Sequence, residues 1–258
     1  MRFSILINCH NQGDYINECV LSVLGQEYSD FEIIIVDSSE KKLETEKFKN
    51  KENLKYLHIK KFSDFPELNQ MYKIQLGLNE ANGEYICLLD GDDIFAKNKL
   101  HHLAKYIEKT KIILNQDLPT MMIKNKKFDL KPKKFKENNF FKKLIINWPQ
   151  IYGTSSITIK KKILDDFFAT AKPFEWKFLA IDAQLVIYCS IFYSINNQLK
   201  QITYKRKHEQ NLGDIYLNIF SKLFWKRREC QHNFYFFLKK KRVYNFDFFI
   251  TKMVNFFL

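Results

Sequence analysis

The chain opens on an apolar run, Phe3-Ser4-Ile5-Leu6-Ile7, which gives way to a polar stretch at residues 8–14. Tyr15, Ile16, Cys19, Val20, Val23 and Leu24 follow at the spacing of a helix with one buried face. Asp14 stands where an N-cap is expected, Glu18 lies in the first turns, and Gly25 marks the helix end. A second run, Phe31-Glu32-Ile33-Ile34-Ile35-Val36, ends in Asp37-Ser38-Ser39. This is the pattern of a βαβ unit with polar residues at the strand ends. Residues 40–53 are charged and read as a helix plus loop, residues 54–59 as a third strand, and residues 67–82 as a helix terminated by Gly83. Tyr85-Ile86-Cys87-Leu88-Leu89 then runs straight into Asp90-Gly91-Asp92-Asp93. Short unbroken apolar runs of this kind suit parallel strands covered on both faces. The predicted fold is α/β and Rossmann-like, a mostly parallel central sheet flanked by helices.

The acids of Asp90-Gly91-Asp92-Asp93 fall at a strand's C-terminal end, where open α/β sheets bind their ligands. Carboxylates this close repel, so they stay ionised together only beside a cation or in solvent. One reading is a divalent ion, Mg²⁺ or Mn²⁺, bridging a substrate's phosphates. The other is a solvated Asp/Gly turn. Neither the glycine-rich dinucleotide fingerprint nor a Walker loop is present, so any nucleotide is held another way.

Further along, residues 100–114 read as a helix with His101 and His102 on its surface. Residues 124–143 carry nine lysines among Phe128, Phe135, Phe140 and Phe141, either a solvated hairpin or an anionic contact surface. Residues 148–159 read as a loop leading into a strand, and 160–168 as a helix. The stretch 176–193 sets Asp182 among Phe178, Leu179, Ile181, Leu185 and Val186, so this acid either caps a helix or has a chemical role. Residues 202–208 are strand-like and basic. After residue 211 basic and aromatic residues recur at helical spacing, predicting an amphipathic helix pair. Such a pair either meets anionic lipid headgroups or docks onto the core or a dimer partner.

Composition narrows the classes. Of the 258 residues, 46% are hydrophobic, enough for a core and against disorder. The net charge of +13 implies an anionic partner. No nucleic-acid-reading motif accompanies that charge and the aromatics pattern as core, so nucleic acid is not the expected partner. Five widely spaced cysteines with no CxxC argue against a disulfide framework or zinc site and for a reducing cytosol. No basic n-region with an apolar h-region opens the chain and no run is long enough to cross a membrane. The expected location is cytoplasmic, peripheral at the inner face of the cytoplasmic membrane if the tail engages lipid.

Four stretches together resemble the GT-A-fold glycosyltransferases of family 2. The first is Ser4-Ile5-Leu6-Ile7-Asn8-Cys9-His10-Asn11 with Tyr15-Ile16 and Ser22-Val23-Leu24-Gly25-Gln26, similar to the family's opening strand, loop and helix. The second runs from Phe31 to Ser39, like FEIIIVDDGS, and the third from Gly77 into Asp90-Gly91-Asp92-Asp93, like A-x-G-E-Y-I followed by DxDD. The fourth comprises Gly153-Thr154-Ser155-Ser156, Ile181-Asp182 and the segment from Tyr204 to Asn211. It is similar to the family's G-[ST]-S loop, E-D acid and Y-R-x-H-x-x-N segment. Residues 212–258 lie outside the likeness.

The resemblance implies an inverting, metal-dependent transfer of a sugar from a nucleotide-sugar donor to a glycan or lipid-linked acceptor. It implies residues 1–100 as the nucleotide-sugar half, 101–211 as the acceptor half and 212–258 as a helical tail. Asn8, His10, Asn11, Asp37, Ser38, Asp90 and Gly91 would meet the nucleotide. Asp92 and His208 would hold Mn²⁺ or Mg²⁺, Asp93 would support them, Arg206 would grip the diphosphate and Asp182 would be the base. The Lys- and Phe-rich composition fits an AT-rich bacterial genome, hence surface polysaccharide or lipooligosaccharide synthesis. Two departures matter: Ser38 stands where the family's second acid is usual, and Ile181 where an acid usually precedes the base. They motivate the alternative of an inactive relative that binds a nucleotide or glycan.

Overall fold

The computed structural model describes residues 2–44, 52–123, 126–129, 148–208 and 218–257. The first half is built from β1 (Phe3–Cys9), α1 (Gly13–Leu24), β2 (Phe31–Asp37), β3 (Leu54–His58), α2 (Pro66–Glu80), β4 (Tyr85–Asp90), β5 (Ile94–Phe95) and α3 (Lys99–Lys109). There follow β6 (Leu114–Asp117), β7 (Thr120–Ile123), β8 (Lys126–Asp129), β9 (Ile157–Lys160), α4 (Lys161–Thr170), α5 (Ile181–Phe192), β10 (Ile195–Gln198) and β11 (Thr203–Lys207). Two helices, α6 (Lys222–Lys239) and α7 (Phe246–Phe257), complete it.

Seven strands form the main sheet in the order β10-β6-β9-β4-β1-β2-β3. Only β9 runs against its neighbours, pairing antiparallel with both β4 and β6. Side chains alternate across the sheet as strand geometry requires. Phe3, Ile5, Ile7, Ile33, Ile35, Tyr85, Cys87 and Leu89 face α1 and α3. Leu6, Ile34, Val36, Ile86 and Leu88 face α2, α4 and α5. Both faces are buried, which is why the strands read as unbroken apolar runs. A four-stranded sheet, β5-β11-β7-β8, stands beside the first.

Several boundaries differ from the sequence expectation. Asn8 and Cys9 belong to β1, not to a polar loop, because both pair in register with β2. Gln12, not Asp14, precedes α1, and no side chain caps it. Helix α2 ends at Glu80, and Ala81 after it is already extended. Gly83 serves close packing instead: a Cβ there would meet the Ser4 backbone nitrogen at 2.5 Å. Helix α3 stops at Lys109, and Leu114 belongs to β6. The helix expected within 40–53 does not occupy residues 40–44 or 52–53, and the rest of it lies outside the described residues. Most of the lysine-rich stretch is also outside them; its described part, β8, is an exposed hairpin strand.

The tail forms the expected helix pair. Phe234 and Leu238 of α6 join the core beside α5, and Trp176 packs on Phe234 and Phe237. α7 is tied to α6 through Asp247, which accepts from Arg228 Nη2 at 2.6 Å and from Trp148 Nε1 at 3.3 Å, with His232 Nε2 3.2 Å away. Burial works to raise this carboxyl, but His232 and Arg228 outweigh it and hold it well below the usual carboxylate range. A depressed acid stabilises the fold above its unfolded value of about 3.9, and that contribution is lost as pH falls below it. Asp247→Asn is therefore expected to cost about 1–2 kcal/mol at neutral pH, after discounting for solvent screening. Urea melts from pH 7 down to 3 should show the variant losing less stability in acid than the unchanged chain.

Candidate active site

The register of the sheet builds the site. Asn8 of β1 pairs with Asp90 of β4, so both project from the C-terminal edge on one face. Asn8 Nδ2 donates to Asp90 Oδ1 at 2.6 Å, and Gln70 Nε2 of α2 donates to the same oxygen at 2.8 Å. Burial and the neighbouring Asp92 push the Asp90 carboxyl up to about 6. A helical turn, Thr154–Ser156, is carried to this edge by β9, and Ser155 Oγ accepts from the Asp90 backbone N–H while donating to Asp93 Oδ2 at 2.6 Å.

β11 closes the other side. It pairs antiparallel with β5, Thr203 to Phe95 and Tyr204 to Ile94, and continuing that register sets Arg206 opposite Asp92. The Arg206 backbone N–H donates to Asp93 Oδ1 at 2.8 Å and its Nε to the Asp92 carbonyl at 3.0 Å. Arg206 Nη2 reaches Glu18 of α1 at 2.5 Å and the guanidinium lies 4.8 Å from the Tyr15 ring centre. His208 stacks on Tyr15, centroids 5.1 Å apart, and its Nε2 is 2.7 Å from Asp92 Oδ2. Asp93, buried and held from two sides, is a clamp between β4, β9 and β11, whereas Asp92 and His208 present a carboxylate and an imidazole at the same point.

Asp37 is fully buried. It accepts from the Ser39 backbone N–H and hydroxyl, at 2.8 and 2.5 Å, and from Tyr56 Oη at 2.8 Å. Ser38 and His10 lie against each other, His10 Nδ1 being 2.9 Å from the Ser38 carbonyl and 3.2 Å from its hydroxyl. Asn11 adopts a left-handed conformation, φ 54°, and its Oδ1 accepts from the Glu40 N–H. These residues stitch the loops after β1 and β2 together. A cavity of about 450 Å³ shares Asn11 and Ser39 with them but contains none of Asp90–Asp93.

Residues 4–168 match the family described as glycosyl transferase family 2. The chain belongs to that family. Among similar proteins, TarS of Staphylococcus aureus, a poly(ribitol-phosphate) β-N-acetylglucosaminyltransferase, is 31% identical over 113 residues, 42% of this chain and 19% of TarS. Glycosyltransferase GlyG of Streptococcus pneumoniae is 30% identical over 109 residues, 41% of this chain and 35% of GlyG. The matches thus span well under half of those relatives' own length. In three dimensions the chain is similar to residues 1–349 of S. aureus TarS solved with UDP-GlcNAc, at TM-score 0.65 and 18% identity over 99% of this chain and 70% of that one. The same fragment solved with UDP gives TM-score 0.64 at 19% identity, with the same coverage. The shared fold is GT-A.

Within this family-2 domain, Asp182 lies in the first turn of α5, half-buried, its Oδ1 accepting from the Ala183 N–H at 2.7 Å. An acid there is favoured by the helix dipole. Ile181 is fully buried in the core, so packing occupies the position where a second acid was expected. Asp182 shares its surroundings with the Asp90–Asp93 turn through one side chain that the sequence reading passed over. Burial works to lower the Lys205 ammonium, but Asp93, Asp182, Asp90 and Asp92 together raise it above its ordinary value. Gln70 was passed over too, and Tyr15 and Ser155 were named within the family-like stretches but given no role. No signal marked Gln70, because its side of α2 also carries Glu67 and Lys73.

Among the described residues no three His, Cys, Asp or Glu side chains converge to hold an ion by themselves. The Asp92–His208 pair still fits Mg²⁺ or Mn²⁺, which is commonly held by one or two protein ligands, with the rest supplied by substrate phosphates and water.

Proposed function

We propose that this domain transfers a sugar from a uridine-diphosphate-sugar donor to a hydroxyl of a glycan or lipid-linked surface polymer, with inversion at the anomeric carbon. The observation that carries the reading is the meeting of Asp90, Asp92, Arg206 and His208 at the C-terminal edge of a mostly parallel sheet, with Asp182 near enough to act electrostatically on Lys205 beside them. The UDP and UDP-GlcNAc held by the TarS fragments suggest the nucleotide. Asp90 meets the ribose, and the segments Asn8–Asn11 and Asp37–Ser39, at the ends of β1 and β2, shape the nucleoside subsite. Asp92 and His208 hold the divalent ion, which when bound supplies positive charge to the diphosphate. Arg206 fixes the turn carrying Asp92 and adds positive charge beside it. Asp182 takes the proton from the acceptor hydroxyl as its oxygen attacks the anomeric carbon.

Purified protein with Mn²⁺ and a panel of nucleotide-sugars is expected to consume one uridine-diphosphate sugar. Asp182→Asn should lower that turnover about 10²-fold while UDP affinity, measured by calorimetry, stays unchanged. Donor binding with no turnover, insensitive to Asp182→Asn, would favour a binding protein that has kept the fold. If no nucleotide-sugar binds, the reading fails.

The tail bears on where the acceptor is met. Phe246, Phe249, Met253, Phe256 and Phe257 are exposed along one side of α7, Phe256 by 83%. Lys239, Lys240, Lys241 and Arg242 are exposed at the turn that leads into it. No helix among the described residues is long and apolar enough to cross a membrane. An apolar helix face with a basic rim suits shallow insertion among anionic headgroups. Flotation with anionic vesicles should recover the chain, and Phe249→Ser with Phe256→Ser should weaken that binding about tenfold or more. Equal recovery of the double variant would remove α7 as the membrane contact.

A further inference from the structure

Strand alternation sends neighbouring residues of β11 to opposite sides. Arg206 turns toward Tyr15 and Glu18 of α1. Lys205 turns the other way, and its Nζ rests against Gly153, the residue before the Thr154–Ser156 turn. A Cβ on Gly153 would stand 2.7 Å from that nitrogen, and the glycine's φ of +104° is one that L side chains rarely adopt. Position 153 therefore makes the space that the ammonium occupies.

Lys205 is half-buried, and among the described residues no hydrogen bond or ion pair holds its ammonium. The acids around it are already engaged. Asp90 accepts from Asn8 and Gln70, Asp93 from Ser155 and the Arg206 N–H, Asp92 lies against His208, and Asp182 accepts from the Ala183 N–H. Their field keeps the lysine charged, yet none of them takes its hydrogen bonds. A cation in this position has donors to offer an incoming ligand. A lone anion is repelled by the acids gathered at this edge, so the ligand must offer acceptor oxygens and arrive with its own counter-charge. A nucleoside diphosphate carrying a divalent ion satisfies both conditions.

We propose that Lys205 is a catalytic residue of this site, its ammonium donating a hydrogen bond to the donor's β-phosphate where charge develops on the leaving oxygen. This rests on the donor reading above. In the transfer step the acceptor oxygen bonds to the anomeric carbon and the bond from that carbon to the diphosphate oxygen breaks. The electron pair stays on the diphosphate, the acceptor proton passes to Asp182, and Lys205 keeps its own proton. Its contribution is that of a positioned donor to a developing oxyanion.

The test compares UMP with UDP. Calorimetry with Mn²⁺ should give Lys205→Met the UMP affinity of the unchanged chain but about tenfold weaker UDP binding, and kcat for the donor should fall about 10²-fold. Preserved UMP binding shows the site is folded; should Lys205→Met precipitate, Lys205→Gln carries the same comparison. UDP affinity and kcat both within threefold of the unchanged chain would overturn the assignment. Equal losses of UMP and UDP affinity would also overturn it, assigning Lys205 a structural role. Failure of the unmodified protein to bind either nucleotide would instead bring down the donor reading, and this assignment with it.

Discussion

Asp92→Ala is expected to lower sugar transfer by about 10³-fold and to remove the Mn²⁺-dependent part of UDP binding. Asp92 presents its Oδ2 to His208 at 2.7 Å, while its backbone carbonyl is held by Arg206. The turn therefore keeps its shape when the carboxylate is deleted, and what disappears is one of two groups able to fix a divalent ion. Charge stabilisation of a leaving diphosphate by such an ion is worth several kcal/mol, and about 4 kcal/mol corresponds to roughly 10³ in rate. UDP titrations with Mn²⁺ and with EDTA separate the two contributions. In the variant both titrations should give the weak affinity that the unchanged chain shows in EDTA. If Mn²⁺ still strengthens UDP binding in the variant, Asp92 is not the ligand.

Lys99→Met is expected to be the most destabilising single change, by about 3–5 kcal/mol, because it strands a buried charge. Lys99 Nζ is wholly enclosed, donates to Asp117 Oδ1 at 2.9 Å, the Ser155 carbonyl at 3.0 Å and Thr203 Oγ1 at 2.6 Å, and sits 4.0 Å from the Phe95 ring centre. It ties α3 to β6, β11 and the Ser155 turn. Burial already holds the Asp117 carboxyl above its usual value even with Lys99 beside it. Without Lys99 it should rise further. An acid with a raised folded-state value takes up protons on folding, so its destabilisation is greatest at neutral pH and eases as pH falls toward the unfolded value. Urea melts at pH 7.5 and 5.5 should therefore show a smaller deficit at the lower pH. The double variant Lys99→Met with Asp117→Asn should recover much of the loss. A double variant no more stable than Lys99→Met alone would mean that the lost packing of Lys99, not the stranded charge, sets the cost.

What the sequence disclosed depended on how each residue's environment shows in its neighbours. β1, β2 and β4 were plain because both faces are apolar, and the acid turn was plain because it interrupts such a run. β6 was hidden: Asn115, Gln116 and Asp117 are all fully buried, so a polar string occupies a central layer. It survives there because the partners are polar too. Gln198 Nε2 donates to Asn115 Oδ1 at 2.7 Å, and Gln116 Nε2 to Asn197 Oδ1 at 2.9 Å, across the pairing of β6 with β10. Periodicity has no means of announcing an amide ladder. Lys205 was hidden differently. One lysine among several in a basic strand stands out only when Gly153, some fifty positions earlier, is known to lie against it. The Asp92–His208 pair was half legible, since Asp92 belongs to a turn motif, while the placement of His208 depends on the β5–β11 register and the Tyr15 ring.

The reversed strand β9 also sets an order of assembly. β1 to β4 pair with one another using residues 3–90 alone, so that half of the sheet needs only short crossovers to close. β6 and β10 join the main sheet only through β9, a strand of four residues that the ribosome delivers after position 156. Long-range pairings of that kind come late because chain closure precedes their reward. The turn that leads into β9 carries Ser155, and β11 with the residue after it carries Lys205, Arg206 and His208. A nascent or partly unfolded chain thus holds the loops after β1 and β2 and the Asp90–Asp93 turn before it holds Lys205, Arg206 or His208, so the proposed grip on the diphosphate is completed only when the last strands lock.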